Sequence, residues 1–126
     1  MRLYSGCLKI CPYCAPAPED TWILTEDVVA VPHPSPFTAF HVVVAPRRHV
    51  SAFYDLDVGE QRSIWDVIGV LRDRIAGTLP VAGFDIGFHD ATADDPEGHA
   101  VVHVMPRVTG APARLPGHID WVILDS

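Results

Sequence analysis

One long helical pattern among several short strand-like runs is the feature that most constrains the fold of this chain. Between Asp57 and Gly77, apolar residues recur every three or four positions, which places them on one face of a helix. Asp57 stands three residues before Glu60, the spacing of a helix capping box, and glycine commonly follows the last turn of a helix. We therefore expect a helix over residues 57–77. Its buried face should consist of Ile64, Ile68, Leu71 and Ile75, with Trp65 beside them.

Five other segments have the length and composition of β-strands, being short and rich in β-branched or aromatic residues. The first two strands are separated by Glu26 and Asp27, which predicts a hairpin. The strands are expected at residues 22–24, 28–31, 41–46, 84–89 and 100–105. Three strands, one helix and two further strands predict an α+β domain with an antiparallel meander sheet of about five strands.

The length and charge of the chain limit its domain count and its partners. A chain of 126 residues fits one domain, spanning residues 1–126. The formal net charge is −7, from nine lysines and arginines against sixteen acidic residues, which argues against a nucleic-acid partner because such binding needs clustered cations. No apolar run approaches the ~20 residues that span a bilayer, and the N-terminus lacks the apolar region of a signal peptide. We expect a cytoplasmic protein with no membrane partner.

Three cysteines lie within the first fourteen residues: Cys7, Cys11 and Cys14. In a cytosolic chain such a cluster indicates a metal site or a redox pair more than a disulfide framework. The pair Cys11-Pro12-Tyr13-Cys14 fits either use, and a zinc site would need two further ligands of the imidazole or thiolate type. The pattern leaves Cys7 without an assigned role.

Two histidines share one face of the last predicted strand. Side chains alternate between the faces of a strand, so His99, Val101 and His103 point the same way while Ala100 and Val102 point the other way. Two histidines on one face of one strand favour a local site over scattered core positions.

The order of several motifs resembles the histidine-triad (HIT) superfamily, over most of the chain. The zinc-bearing bacterial branch is the most similar. The motifs are the Cys-x-x-Cys start, the segment His41-Val42-Val43-Val44-Ala45-Pro46-Arg47-Arg48-His49-Val50, the helix after it, Gly83-Phe84-Asp85-Ile86-Gly87, Val104-Met105-Pro106-Arg107, and a C-terminal extension at residues 114–121. The resemblance implies a HIT-like α+β fold and a homodimer, for which the helix residues Val67 and Val70, outside the main apolar stripe, give additional support.

The resemblance also implies the missing zinc ligands. In zinc-bearing relatives, the histidine of a Pro-x-x-His element and the first triad histidine complete the site. Carried over to this sequence, the four ligands are Cys11, Cys14, His49 and His99. Four protein ligands leave no open coordination position, which is typical of a structural metal.

The resemblance further implies that the central triad histidine is replaced by Val101. In HIT enzymes this histidine attacks a nucleotide phosphorus and holds the nucleotidyl group covalently, and valine has no lone pair for that step. A two-residue shift of register would make His103 the central histidine, but it would misplace Pro106-Arg107. We prefer the register that places valine at the nucleophile position.

Other positions also depart from the family pattern. His33 stands where an acidic residue usually holds the ribose, Asp85 and His89 lie on the strand that is usually rich in asparagine, and an acidic loop at 90–98 replaces the phosphate loop. The carboxylates of this loop would repel a nearby phosphate, unless the loop is a solvated turn far from the site. The arginines expected to offset part of this repulsion are Arg47, Arg48 and Arg107. The expected ligand-binding residues are His33, Asp85, His89, His103 and Arg107, and the candidate catalytic residues are His103, His89, His33 and Asp85.

Three functions are compatible with these residues. The first is a HIT-like protein that binds a nucleotide or another small molecule and has lost or altered its nucleotidyl chemistry. The second is an enzyme in which histidines and Asp85 form a remodelled acid–base pocket for a non-nucleotide small molecule. The third is a nucleotide hydrolase that uses His103 as a base on water. Converging titratable groups with no arginine near would favour the second function over the third.

Overall fold

A computed structural model describes residues 13–14, 18–33, 40–91 and 98–109 of the chain. A 3₁₀ turn at Pro18–Asp20 precedes three strands, and a second 3₁₀ turn at Phe53–Asp55 precedes the helix. The strands are β1 (Ile23–Leu24), β2 (Val28–Pro32), β3 (Val42–Pro46), β4 (Val81–His89) and β5 (Val101–Val108), and the helix is α1 (Val58–Ala76). Each predicted element is present, with ends that differ from the expected ones by up to three residues.

The five strands form one antiparallel sheet with the spatial order β1-β2-β3-β5-β4. The predicted α+β class, with one helix and an antiparallel sheet of five strands, is therefore confirmed over the described residues. The first three strands follow one another as a meander, but β5 lies between β3 and β4. This order brings the start of β3 beside His103 of β5, because Val43 pairs with His103 in the register of the two strands.

The start of α1 follows the predicted capping box. The Asp57 side chain accepts a hydrogen bond from the Glu60 backbone N–H at 2.8 Å, and the Glu60 side chain accepts one from the Asp57 backbone N–H at 3.0 Å. These two bonds satisfy backbone donors that have no partner within the helix. Gly77 follows the last helical residue, so both predicted ends of the helix are confirmed.

The main core lies between α1 and one face of the sheet. The predicted helix face is buried, and it packs on the even-numbered residues of the strands. The core strand residues are Val28, Ala30, Val42, Val44, Val102 and Val104. Val67 belongs to this core and is only 6% exposed, so the expectation that it supports a dimer surface was wrong, whereas Val70 is 45% exposed. Valine at position 67 follows Ile64 by three residues and so faces the sheet.

Several sequence predictions lie outside the described residues: those for Cys7 and Cys11, for positions 92–97 of the acidic loop, and for the extension at 114–121. Among the residues that the structure describes, no helix is both long enough and apolar enough to cross a membrane.

Candidate functional site

The candidate site residues lie on the face of the sheet away from α1. Odd-numbered residues of β2, β3 and β5 form a second apolar cluster on this face: Val29, Val31, Val43, Ala45 and Val101. His99 and His103 flank Val101 along the same strand direction, as the alternation predicted. Two separate groups of metal-ligating side chains lie at the two ends of this apolar cluster.

The first group, which we call the Cys14 cluster, contains Cys14, His49 and His99. The Cys14 Sγ lies 3.2 Å from His49 Nδ1 and 3.7 Å from His99 Nδ1. In a tetrahedral zinc site with Zn–S near 2.3 Å and Zn–N near 2.05 Å, a sulfur and a nitrogen are about 3.6 Å apart. The three described residues therefore fit the predicted zinc site in type and in spacing, and Cys11 lies outside the described residues.

The ring of His99 is oriented by the backbone of β3. Its Nε2 lies 2.7 Å from the Pro46 carbonyl oxygen. Because a carbonyl only accepts, Nε2 carries the proton, and Nδ1 presents its lone pair toward Cys14. Metal-bound histidines commonly donate their second ring N–H to a carbonyl in this way. The pKa of His99 is lowered to about 4, mainly by burial; the Pro46 hydrogen bond opposes this shift and the nearby His49 adds to it.

Cys14 is also disulfide-bonded, and its partner lies outside the described residues. This is the redox alternative that the Cys-x-x-Cys spacing left open. A metal ligand must be a thiolate, so the disulfide form and a zinc-bound form of Cys14 exclude one another. Any zinc site here therefore belongs to the reduced protein.

The second group, which we call the His41 cluster, contains His33, His41 and His103. The His41 Nε2 and the His103 Nδ1 are 2.9 Å apart, a hydrogen-bond distance at which one ring donates to the other. The rings of His33 and His41 are stacked with centroids 4.4 Å apart, and the His33 and His103 centroids are 5.6 Å apart. His89 lies at the edge of this group, with its centroid 6.2 Å from that of His103.

Burial is the main electrostatic influence on the His41 cluster. Burial first, and then like-charge effects, lower the pKa of His41 to about 3 and that of His103 to about 4. The like-charge effects come from His33 and His103 on His41, and from His33 and His89 on His103. Both rings are therefore neutral at pH 7, and neither is well matched to proton transfer near that pH.

His41 was not among the predicted ligand-binding residues. It is the one polar side chain in the buried set of described residues, with 2% of its surface exposed. Phe40, directly before it, has φ of +62°, a left-handed backbone that bulky residues rarely adopt. The period of two from Val43 puts His41 on the same strand face, but only the pairing of β3 with β5 brings it to His103.

Asp85 of β4 and Arg107 of β5 form a separate pair, farther along the sheet. The Arg107 Nε lies 3.1 Å from Asp85 Oδ2. An added Cβ at Gly83 would lie 2.6 Å from the Arg107 guanidinium, so the absence of a side chain at Gly83 leaves room for this arginine. Of the five predicted ligand-binding residues, His33, His89 and His103 thus converge, whereas Asp85 and Arg107 contact each other.

The other charged residues named in the sequence analysis make hydrogen bonds within the fold. Arg48 makes hydrogen bonds of 2.7 and 3.0 Å with the Glu60 carboxylate, and Arg47 donates to the Thr25 carbonyl at 3.1 Å. Both guanidinium groups thus have acceptors within the scaffold, and the prediction that they offset the acidic loop stays untested because positions 92–97 lie outside the described residues. Asp90, the first loop residue, accepts a hydrogen bond from the Phe53 backbone N–H at 2.8 Å, so its carboxylate has a structural contact.

No protein-family model matches the sequence, and no curated protein matches it. Solved structures do resemble the fold. The NitFhit protein of C. elegans matches with a TM-score of 0.67 and 23% identity over 78% of this chain, which spans only 24% of the nematode chain. A HIT family protein from Bacillus subtilis matches at 0.65 and 19%, covering 86% of this chain and 79% of its own. Diadenosine triphosphate hydrolase from Plasmodium falciparum matches at 0.61 and 19%, covering 90% and 75%.

This chain has the histidine-triad fold. On that fold, the last strand carries His99 and His103 at positions separated by Val101. His99 joins the Cys14 cluster at one end of the face, and His103 joins the His41 cluster at the other end.

Proposed function

We propose that this chain is a histidine-triad protein that binds a nucleotide-like small molecule on the sheet face away from α1 and forms no covalent nucleotidyl–histidine. The observation that carries the proposal is Val101, which occupies the place between His99 and His103 where the family resemblance puts the nucleophile. Its side chain is 9% exposed and packs in the apolar cluster of this face. An aliphatic side chain cannot attack phosphorus.

The positions of the two flanking histidines also argue against a nucleotidyl–histidine intermediate. His99 is held by the Pro46 carbonyl and faces Cys14, and His103 bonds with His41. Each is displaced from Val101 by two residues, or about 7 Å along the strand. Errors of about 1 Å in the position of a reacting group already cost roughly a hundredfold in rate.

A second candidate function is favoured by the convergence of His33, His89 and His103. Several imidazoles around one region suit a remodelled enzyme acting on a non-nucleotide small molecule. The third candidate, hydrolysis with His103 as a base, is less well supported because its lowered pKa makes it a weak base. Arg107 lies on β5 with these groups, but it is paired with Asp85.

A structural zinc ion is part of the proposal, held in the reduced protein by Cys11, Cys14, His49 and His99. The spacing of Cys14, His49 and His99 and the proton on His99 Nε2 support it. Bound there, zinc would join the N-terminal segment to β3 and β5 and stabilise the fold. We place the protein in the cytoplasm, where cysteine thiols are kept reduced.

The function is tested by combining binding and turnover measurements on reduced protein. Calorimetry with AMP and ADP should give saturable binding, and Arg107→Ala should weaken it about tenfold, as expected for one lost charge-assisted hydrogen bond. Arg72→Ala is the matched control, because Arg72 lies over the Phe84 ring and not at the candidate site. Absence of nucleotide binding would remove this proposal, and binding of a non-nucleotide metabolite would favour the second function.

Turnover of adenosine phosphoramidate or dinucleoside polyphosphates should stay at background. The same samples, examined by mass spectrometry under conditions that preserve phosphoramidates, should carry no nucleotidyl adduct. An adduct on His99 or His103 of the unaltered protein would contradict the proposal and would mean that the register of the last strand is shifted.

A further inference from the structure

The His41 cluster gathers three imidazoles from three different segments. His33 follows β2, His41 precedes β3, and His103 lies within β5. One ligating nitrogen from each ring lies within 4.8 Å of the other two. Each buried imidazole has two ring nitrogens that need a hydrogen-bond partner or a metal. Three imidazoles packed together beside an apolar cluster therefore favour a functional role over a purely structural one.

The backbone places these rings together through two strand pairings. Pro32 pairs with Val42, and the His33 N–H donates to the His41 carbonyl at 2.9 Å, so the two histidines lie opposite each other at the end of the β2–β3 ladder. The pairing of Val43 with His103 then brings the third ring alongside. These pairings belong to the core of the sheet, so the cluster is built on rigid elements.

We propose that His33, His41 and His103 bind a divalent transition metal of the class that prefers imidazole, such as zinc, cobalt or nickel. This site is distinct from the Cys14 cluster. His99, which precedes β5, and His103, within β5, are four residues apart, which corresponds to about 13 Å along an extended chain. The metal would bind to nitrogen alone, a donor set that suits zinc, copper and nickel.

The distances agree with this assignment after a small adjustment. Two nitrogens on a tetrahedral zinc ion are about 3.3 Å apart, and the His41 Nε2 and His103 Nδ1 are 2.9 Å apart. Binding would move the proton between these two nitrogens, by way of solvent, to the other nitrogen of the ring that carries it, so that both rings stay neutral. The two rings would separate by a few tenths of an ångström. The rotation of His33, which is only partly buried, would supply the third ligand.

Three protein ligands leave a coordination position open, as in catalytic rather than structural zinc sites. His33 and His103 are half-buried, whereas His41 is buried, so the open position faces the accessible side of the sheet. A water molecule or an anionic oxygen of a ligand, from a phosphate or a carboxylate, is the chemical group that such a position accepts. The assignment does not depend on which small molecule the protein binds.

The strained backbone before His41 is an independent observation in favour of a functional site. Phe40 holds a left-handed φ of +62°, a conformation that costs of order 1–3 kcal/mol for a non-glycine residue and is concentrated at functional sites. Its ring packs edge-on against Trp22 with centroids 5.7 Å apart. This contact holds the chain in the conformation that directs His41 into the cluster.

The test is a cobalt titration of the reduced, metal-free, untagged full chain, followed by displacement with zinc. Two equivalents should bind per chain. One should show the strong sulfur-to-cobalt absorption of a thiolate site, and the other should show only the weak visible bands of nitrogen coordination. His103→Asn and His33→Asn should each abolish the second equivalent and keep the first. His89→Asn is the matched control and should keep both.

A second measurement does not depend on the folding of any variant. In the unaltered reduced protein whose thiolate site is already filled with one equivalent of zinc, substoichiometric nickel should broaden the histidine ring resonances of His33, His41 and His103 before those of His89. A single bound equivalent, confined to the thiolate site, would overturn the proposal. Broadening spread equally over all exposed histidines would also overturn it, because that result indicates surface binding only.

Discussion

His99 and Val101 illustrate how single side chains decide the chemistry of this face. The Pro46 carbonyl fixes the proton of His99 on Nε2, so the remaining ring nitrogen, Nδ1, directs its lone pair toward Cys14. Val101, two residues further along the chain, packs its methyl groups in the apolar cluster of this face. On this face, two imidazoles therefore flank an aliphatic side chain that has no atom able to attack phosphorus.

At the residue scale, Val101→His is expected to restore a small amount of nucleotidyl–histidine formation. The new imidazole would stand on the correct face, but His33 would still occupy the ribose-holding position that the family resemblance indicates. Introducing a polar ring into the apolar cluster should also cost roughly 1–3 kcal/mol of stability. Mass spectrometry after incubation with adenosine phosphoramidate detects the adduct. Val101→Asn is the control, and an adduct on that variant would show that another residue is the nucleophile.

At the scale of elements, β3 and β5 carry both clusters at opposite ends of their shared ladder. His41, at the start of β3, meets His103, and Pro46, at the end of β3, meets His99 near the start of β5. Antiparallel pairing produces this arrangement, because the start of one strand lies beside the end of the other. The loop after β3 then adds His49 to the Cys14 cluster.

The N-terminus of α1 is tied to this same loop through Glu60. Its carboxylate caps the helix at Asp57 and also pairs with Arg48, the residue before His49. Hydrogen bonds from Arg48 first, and then from the Asp57 backbone together with the Arg48 charge, lower the pKa of Glu60 below 4.5 in spite of partial burial. One carboxylate thus connects the helix to the segment that carries a candidate metal ligand.

Glu60→Gln should lower the free energy of unfolding by about 1 kcal/mol at pH 7, because a neutral amide keeps part of the cap but loses the charge-assisted bond to Arg48. A lowered folded-state pKa stabilises the protein above the unfolded value and ceases to do so as the pH falls through the folded value. The difference between wild type and variant should therefore shrink below pH 4.5. Urea unfolding at several pH values measures it.

Glu19→Gln is the matched control for this comparison, since Glu19 is exposed in the first 3₁₀ turn, and it should change little at any pH. A cost of Glu60→Gln that did not vary with pH would assign the effect to helix capping alone and would contradict a role for the charge.

At the scale of the whole molecule, removal of the proposed zinc should destabilise the reduced protein. Metal binding is coupled to folding, and in a domain of this size each 1 kcal/mol shifts Tm by roughly 3–6 °C. A chelator, or His49→Asn, should therefore lower Tm by about 5 °C or more. His33→Asn, which changes the other cluster, should leave this sensitivity to the chelator intact. Elemental analysis that finds no zinc in protein purified under reducing conditions would contradict the prediction.

The protein is further expected to be a homodimer through α1 and an edge of the sheet. The described surface near the start and middle of the helix exposes large apolar side chains, among them Tyr54, Val58, Trp65 and Val70. Light scattering should give twice the chain mass of 13.8 kDa, and Val70→Glu should shift the mass toward one chain because it would place a charge on the exposed face of the helix that the dimer is expected to bury. A single-chain mass for the unaltered protein at micromolar concentration would contradict the predicted homodimer.

Local sequence patterns were sufficient to predict the helix and the strands. The capping box, the helix face from Ile64 to Ile75 and the alternation of His99, Val101 and His103 all follow from short-range periodicity, which local backbone geometry enforces. The pairing of Cys14 with His49 and His99 came from the family resemblance, and the observed distances agree with it. Val67 was misjudged because a sequence pattern gives the direction of a side chain but not the width of the surface that covers it.

The sequence by itself determined the class of the fold, the limits of the helix and the residue types available for chemistry, because these depend on spacing along one chain. Only the tertiary structure decided that β5 lies between β3 and β4, and this placement brings His41 to His103 across 62 positions of sequence. It likewise decided that Arg47 and Arg48 are committed to Thr25 and Glu60. Contacts between distant segments depend on strand order and register, which are fixed by burial of the whole sheet and not by any local signal.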